Sequence, residues 1–270
     1  MLHCRILVFV ILFINVPAFS QPPADHQNAF GLSWGPQDYR SQDLILSPLI
    51  YRGNSLLMGE LFYERRTKNG LHRVGFALSQ IDVRASDQFS YFISGEPHET
   101  SNSEALTIRL HYLFGKNIFR KDKTEILVGG FLEGDFNYLE YHFGPVKNNG
   151  TVVAYSLSAW TRGTLKLSPT QSLNIETGFP LVAWVARSTF AISDEERLKA
   201  FSDFIHVTKN GELAVFTDFL DIHARIFYRR FLSSVTQLLL AYQFEYLKST
   251  NFLKAAILRN SFEIGFVYNF

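Results

Sequence analysis

The chain has 270 residues, 47% hydrophobic and 15% aromatic, with 26 basic against 25 acidic side chains. So even a balance gives no electrostatic footprint for nucleic acid. The single cysteine leaves no disulfide framework and no Cys-based metal site, and beyond the N-terminus no run of about 18 apolar residues offers a membrane-spanning helix.

In chain order, Met1–Arg5 carries one positive charge, Ile6–Val16 is an apolar run, and Ala18-Phe19-Ser20 supplies small residues where a signal peptidase reads. This predicts a signal peptide over residues 1–20, cleaved near Ser20/Gln21, and one exported domain over residues 21–270. Cys4 precedes the apolar run, so it is not placed as a lipid acceptor.

After a polar leader, Ala29–Trp34 alternates with Phe30, Leu32 and Trp34 on one side, a strand signal. Gly35–Asp43 reads as a loop, Leu44–Tyr51 as a strand interrupted by Pro48, and Arg52–Ser55 as a tight turn around Gly-Asn. Leu57, Gly59, Leu61 and Tyr63 then share a face opposite Glu60 and Glu64. Thr67–Gly70 (TKNG) is the clearest hairpin turn, since Asn-Gly accepts positive φ. His72–Arg84 is a strand whose faces exchange near Gln80, read as a bulge.

Gln88–Ser94 is a further short strand and Gly95–Glu104 a polar loop. Ala105–Gly115 alternates, with Arg109 and His111 opposite its apolar face, and Lys116–Lys123 is a basic turn. Ile126 to Tyr138 face away from Glu125, Glu133, Asp135 and Asn137. Gly144–Gly150 is a loop. The next strand sets Tyr155 and Leu157 against Trp160, Arg162 and Lys166, and Ser168–Gln171 turns. Leu173–Leu181 opposes Glu176, with a local break at Pro180. Ser193–His206 departs from the pattern: Ser193 with Glu196 makes a capping box, and Leu198, Phe201 and Ile205 share a helical face. Leu213–Phe231 returns to strand, Leu232–Val235 turns, and Leu238–Tyr246 precedes a turn at Lys248–Phe252.

The last stretch is the most strongly patterned. Phe262, Ile264, Phe266, Tyr268 and Phe270 alternate with Ser261, Glu263, Gly265, Val267 and Asn269. An aromatic face against a polar one is the pattern of a transmembrane barrel strand, and Tyr242, Phe244 and Tyr246 repeat it one strand earlier. A terminal strand that ends on Phe resembles the closing strand of bacterial outer-membrane β-barrels. In lipid only helices and closed barrels satisfy their backbone groups. The expected fold is therefore an all-β, closed antiparallel transmembrane barrel of about twelve strands (about ten to twelve), with a short helix in one long loop. The expected location is the outer membrane of a Gram-negative cell. The expected partners are outer-membrane lipid, the barrel-assembly machinery through the C-terminal strand, and small solutes, with no nucleic acid. A soluble periplasmic sandwich would have to hide the Phe262–Phe270 face in a core.

The inner face gathers the charge. Asp221, His223, Arg225 and Arg229 share one parity. Glu245, Arg259 and Glu263 join them from the following strands, and Arg109, His111, Glu133, Asp135, Arg162 and Glu176 from earlier ones. One reading is a charged constriction that selects solutes. The other is an ion-pair network that fills a small barrel. The first makes the protein a non-enzymatic passive channel. Asp221 and His223 lack a serine in a nucleophile motif, and a lipid-modifying enzyme is the remaining alternative. No cofactor is expected, and no metal: there is no closely spaced His pair and no acidic calcium loop.

A local stretch, Trp34–Met58, resembles the early segment of the MipA/OmpV family, with Pro36, Asp38, Tyr39, Pro48, Tyr51, Arg52 and Gly53 as the matching positions. That resemblance implies a scaffold barrel associated with a murein-synthesising and murein-hydrolysing assembly.

Overall fold

A computed structural model describes residues 27–44, 47–87, 90–99, 103–143, 146–187, 211–250 and 254–270. The expected signal peptide and the expected helix over Ser193–His206 lie outside these residues. The described residues form thirteen strands: β1 (Asn28–Asp43), β2 (Ser47–Arg66), β3 (Gly70–Ala85), β4 (Ser90–Ile93), β5 (Glu96–Glu99), β6 (Ser103–Lys121), β7 (Thr124–Phe143), β8 (Val146–Ser168), β9 (Gln171–Arg187), β10 (Glu212–Val215), β11 (Phe219–Phe231), β12 (Thr236–Ser249) and β13 (Ala255–Asn269).

Ten of them close a barrel. The order is β9-β11-β12-β13-β1-β2-β3-β6-β7-β8, and β8 pairs back onto β9. Every pairing is antiparallel, and because β8 closes onto β9 the wall strands pair with a neighbour on both sides through the lipid-facing zone. β4 and β5 form a separate two-stranded hairpin between β3 and β6. Its turn residues Ser94 and Gly95 both take positive φ (53° and 90°), the geometry a two-residue hairpin requires. β10 lies outside the ring and extends the line of β11 along β9: Glu212–Val215 face Val185–Val182, while β11 faces residues 171–178.

The strand count is ten in the wall rather than about twelve. Gly35–Asp43, read as a loop, is the upper half of β1. Arg52–Ser55, read as a turn, lies within β2, which joins two expected strands into one of 20 residues. The Gln88–Ser94 strand is the detached β4. The basic turn shrinks to Asp122–Lys123, and β5 and the start of β6 occupy part of the expected Gly95–Glu104 loop. The turns at Thr67–Gly70 and Ser168–Gln171 are where the sequence puts them; in the first, Thr67 N–H donates to the Gly70 carbonyl at 2.9 Å. Pro180, which has no N–H to give, faces the register shift between Leu157 and Ser158.

β3 explains the misread segments. Its side chains alternate in and out without interruption from Leu71 to Arg84, so there is no bulge at Gln80. What changes is the chemistry of each face. Val74, Phe76 and Leu78 face out, then Gln80, Asp82 and Arg84; Arg73, Ala77 and Ser79 face in, then Ile81 and Val83. β1 does the same: Phe30, Leu32 and Trp34 face out, followed by Asp38, Arg40 and Gln42, while Tyr39 turns in. The extra residue that breaks the register lies in β2, between Asn54 and Gly59. It leaves Leu56 and Leu57 side by side on the outside, where the two zones meet.

The lower zone is built for lipid, with an apolar outer band and a polar interior. The upper zone, here called the collar, is built like a soluble protein, with a charged outside and an apolar core. Four short turns, at 67–69, 122–123, 169–170 and 232–235, lie at the lower end. β3 and β9 end at the collar, at Ala85 and Arg187, and β6 begins there at Ser103. Bacterial barrels keep short turns in the periplasm, so the collar faces outward from the cell. Strands of up to 23 residues, β8 being the longest, exceed the 9–11 or so a tilted strand needs to cross.

The collar core is a closed layer. Tyr39, Tyr51, Ile81, Ala105, Leu139, Val152, Val185, Phe219, Leu247 and Ile257 give one residue from each of the ten wall strands, all buried in one cluster. A second apolar group sits toward the turn end, around Phe62, Phe227 and Leu239, with Leu71, Leu113, Leu127, Phe131 and Trp160 beside it.

Candidate functional site: the charged lumen

Between these apolar layers the lumen holds the charge the sequence placed there. Asp221, Arg225, Arg229, Glu245, Arg259, Glu263, Glu133, Asp135, Arg162, Glu176 and Arg109 are buried on the inner face, with His223 and His111 nearly so. The aromatic set is on the other side. Phe262, Ile264, Phe266, Tyr268 and Phe270 are exposed on the outer wall, and Tyr242, Phe244 and Tyr246 are half-buried there, with the Tyr242 and Phe262 rings 4.8 Å apart. Lys166, expected on the inner face, is exposed beside the lower turn.

The ion pairs stack in levels. At the lowest, Arg229 donates from both terminal nitrogens to Glu64 (2.9 and 3.0 Å). Arg162, with no exposed surface, bridges Glu176 and Glu64, its Nε donating to Glu176 at 2.5 Å. The Phe227 ring lies within 5.4 Å of the Arg162 guanidinium and 5.1 Å of Arg229, so the cations are also held against an aromatic face. At the middle level Glu60 receives Arg73 (2.5 Å) and Arg225 (2.9 Å), and Arg225 also reaches Glu263 (2.8 Å), which accepts from Ser33 Oγ. His111 Nε2 is 3.6 Å from Glu60. A Cβ on Gly75 would fall 2.3 Å from the His111 ring, so only glycine leaves room for it. At the top, beneath the collar, Arg259 donates to Asp135 (2.5 Å), Asn137 (2.8 Å) and Glu245 (2.9 Å), and Arg109 contacts Glu245.

Glu60, Glu64 and Arg73 complete this ladder although they stand outside the sequence-level cluster. Their signal was available: Glu60 and Glu64 share the inner parity of β2, and Arg73 that of β3. Arg187 and Asp43 pair through two hydrogen bonds (3.1 and 3.0 Å) at the collar end, between β9 and β1. In buried guanidinium–carboxylate pairs of this kind, directed charge-assisted hydrogen bonds offset the loss of hydration, and removing one partner is costly.

Little space remains. The cavity between the middle and upper levels, lined by Glu60, Arg73, Arg109, His111, Phe131, Glu133, Trp160 and His223, has about 50 Å³. That is room for a few waters. A larger hollow of about 550 Å³ lies on the outer wall, among Val74, Leu110, Tyr112, Leu132, Tyr155, Leu157 and Trp184, with Gly134 in its lining. It is apolar and belongs to the lipid-facing band. The side chains of His111 and Glu133, which border it through their backbones, point into the lumen.

No family model matches the chain, and no curated protein sequence does. The resemblance of Trp34–Met58 to the MipA/OmpV family therefore finds no support, and the structure removes its basis: Pro36–Tyr39 lie inside β1 rather than in a loop, and Arg52–Gly53 inside β2 rather than in a turn. Among solved structures the chain is similar to the outer membrane protease OmpT from Escherichia coli, at 8% identity over 95% of this chain and 99% of that one, with a TM-score of 0.50. It is also similar to the translocator domain of the autotransporter NalP from Neisseria meningitidis (11% identity, 100% and 95% covered, TM-score 0.45) and to the COG4313 outer membrane channel from Pseudomonas putida F1 (11% identity, 95% and 100% covered, TM-score 0.44). At such identities the likeness is one of fold, and the fold is that of the bacterial outer-membrane β-barrels.

Proposed function

We propose that this protein is a closed, non-conducting outer-membrane barrel that serves as a cell-surface platform, and that it is neither a passive channel nor an enzyme. The observation that carries this reading is the collar core: all ten wall strands contribute to one apolar layer above a lumen already filled by ion pairs. Water and ions meet a dry layer at the loop end and paired charges below it. The sequence's charged inner face suggests solute passage, but most of those charges are spent on one another. The outward surface of the collar supports the platform reading. Arg40, Arg52 and Arg84 lie directly opposite one another on β1, β2 and β3, just above the apolar band, and all three are exposed. Such a row suits contact with anionic groups at the membrane surface.

The test is planar-bilayer conductance of the refolded chain over residues 21–270. The expected result is a folded, heat-modifiable barrel with no conductance steps, and no steps in Arg225→Ala. Steps whose ion selectivity changes in Arg225→Ala would place that side chain in a pore and overturn the proposal.

A further inference from the structure

Glu133, Asp221 and His223 sit where the ladder runs out of cations. Both arginines of that level are committed elsewhere, Arg259 to Asp135 and Glu245 and Arg109 to Glu245. Glu133 is 5% exposed, and neither of its carboxylate oxygens accepts a hydrogen bond; Asp221 Oδ2 accepts none either. The one imidazole of His223 is the nearest basic group to both buried carboxylates, and charge left unanswered there is costly, so an ion or a proton must balance it.

The three side chains converge. One ligand atom from each lies within 4.8 Å of the other two. His223 Nε2 is 3.0 Å from Asp221 Oδ1 and 3.4 Å from Glu133 Oε1. Ligands about 2.0–2.1 Å from a tetrahedral cation stand roughly 3.4 Å apart; the His223–Glu133 distance matches that spacing and the His223–Asp221 distance is somewhat shorter, so a small side-chain movement admits a metal between them. The ring of Phe131 packs edge-on against His223 (5.2 Å, 61°), and His223 Nδ1 faces Glu245 Oε1 at 3.7 Å, which turns Nε2 toward the Asp221 and Glu133 carboxylates. The adjoining cavity of about 50 Å³ can supply water as a fourth ligand.

We propose that Glu133, Asp221 and His223 form a buried site for a divalent transition-metal ion, held by one imidazole and two carboxylates and closed inside the lumen. Such a mixed nitrogen and oxygen set favours zinc-type ions over magnesium. The sequence hides the site because Glu133 comes from β7 and the other two from β11, with β8 and β9 between them. The collar seals the lumen, so the ion enters during folding.

The barrel is therefore refolded with excess EDTA, with ZnCl₂, or with MgCl₂, exchanged into metal-free detergent buffer, and assayed for bound metal per chain. The expected result is about one zinc and no magnesium, and at least a tenfold loss of zinc affinity in Glu133→Gln and Asp221→Asn. Refolding with cobalt(II) should give the visible ligand-field absorption of a low-coordinate site in the wild type, a readout that needs no variant to fold. Absence of both retained zinc and the cobalt band would overturn the proposal and leave protons as the occupants. Zinc retained equally by the folded variants would place the metal on other histidines and overturn it as well.

Discussion

β3 passes through two solvents. From Leu71 to Ser79 it carries Val74, Phe76 and Leu78 outside and Arg73 inside; from Gln80 to Arg84 it carries Gln80, Asp82 and Arg84 outside and Ile81 and Val83 inside. The backbone geometry and the alternation are the same in both halves. Only the medium beyond the wall differs. In lipid the outer face must be apolar, and the interior can keep charges provided they pair. Above the lipid the outer face meets water, and the apolar side chains move inside for the ordinary hydrophobic reason. The lower half is thus held by directed ion pairs and the collar by packing, so the two should fail in different ways.

The two largest effects are expected to be of similar size, one in each half, and to differ in whether a second charge change rescues them. Arg162→Ala removes a cation with no solvent access and leaves Glu176 with only Arg73, 3.9 Å away, while Glu64 keeps Arg229, a loss of about 3–5 kcal/mol in denaturant unfolding. Adding Glu176→Gln should recover part of that loss, because one stranded charge disappears with it. In the collar, Phe219→Ala should cost about 3–5 kcal/mol, the range for truncating a buried Phe, and no second substitution of a charge should rescue it. If Phe219→Ala were nearly neutral, the collar would not be a packed core.

A third comparison uses one face of one strand. Phe76 and Gln80 both point out of β3, four residues apart. Phe76→Arg, in the lipid-facing band, should destabilise the barrel by about 2–4 kcal/mol in bilayers, whereas the same change at Gln80 should cost close to nothing. Equal costs would mean that the band extends through the collar and that the boundary at Leu56 and Leu57 is misplaced.

The boundary also explains what could be read from the sequence. The aromatic alternation of Phe262–Phe270, the inner parity of Asp221 to Arg229 and the turn at Thr67–Gly70 are local signals, and they suffice for a barrel with a charged interior. Above the lipid, a polar outer face removes the apolar alternation on which such a reading depends. Gly35–Asp43 therefore reads as a loop and Arg52–Ser55 as a turn, although both are strand, and two expected strands merge into β2. A filled lumen is one of two readings the inner charge allows, and which holds is beyond any local pattern. Arg229 meets Glu64 and Arg259 meets Asp135 across 165 and 124 residues of chain, and only closure of the ring brings them together.

The smallest effect concerns the arginine row. Arg40 faces Arg52, and Arg52 faces Arg84, in direct cross-strand register on the outer wall. Like charges in that arrangement repel, by roughly 0.2–1 kcal/mol per pair. Arg40 has an acid nearby, Asp38 at 3.4 Å, on the same strand. Arg52→Gln removes the central charge and both repulsive pairs at once. In a zwitterionic detergent it should raise the thermal midpoint slightly, because nothing there rewards the row. In bilayers containing anionic lipid the sign should reverse, since the surface potential favours each added arginine by about 1 kcal/mol. A gain in both media would mean that the collar's outer face does not meet anionic groups and would count against the platform reading. A reversal would show why a protein keeps three arginines where its own fold would prefer two.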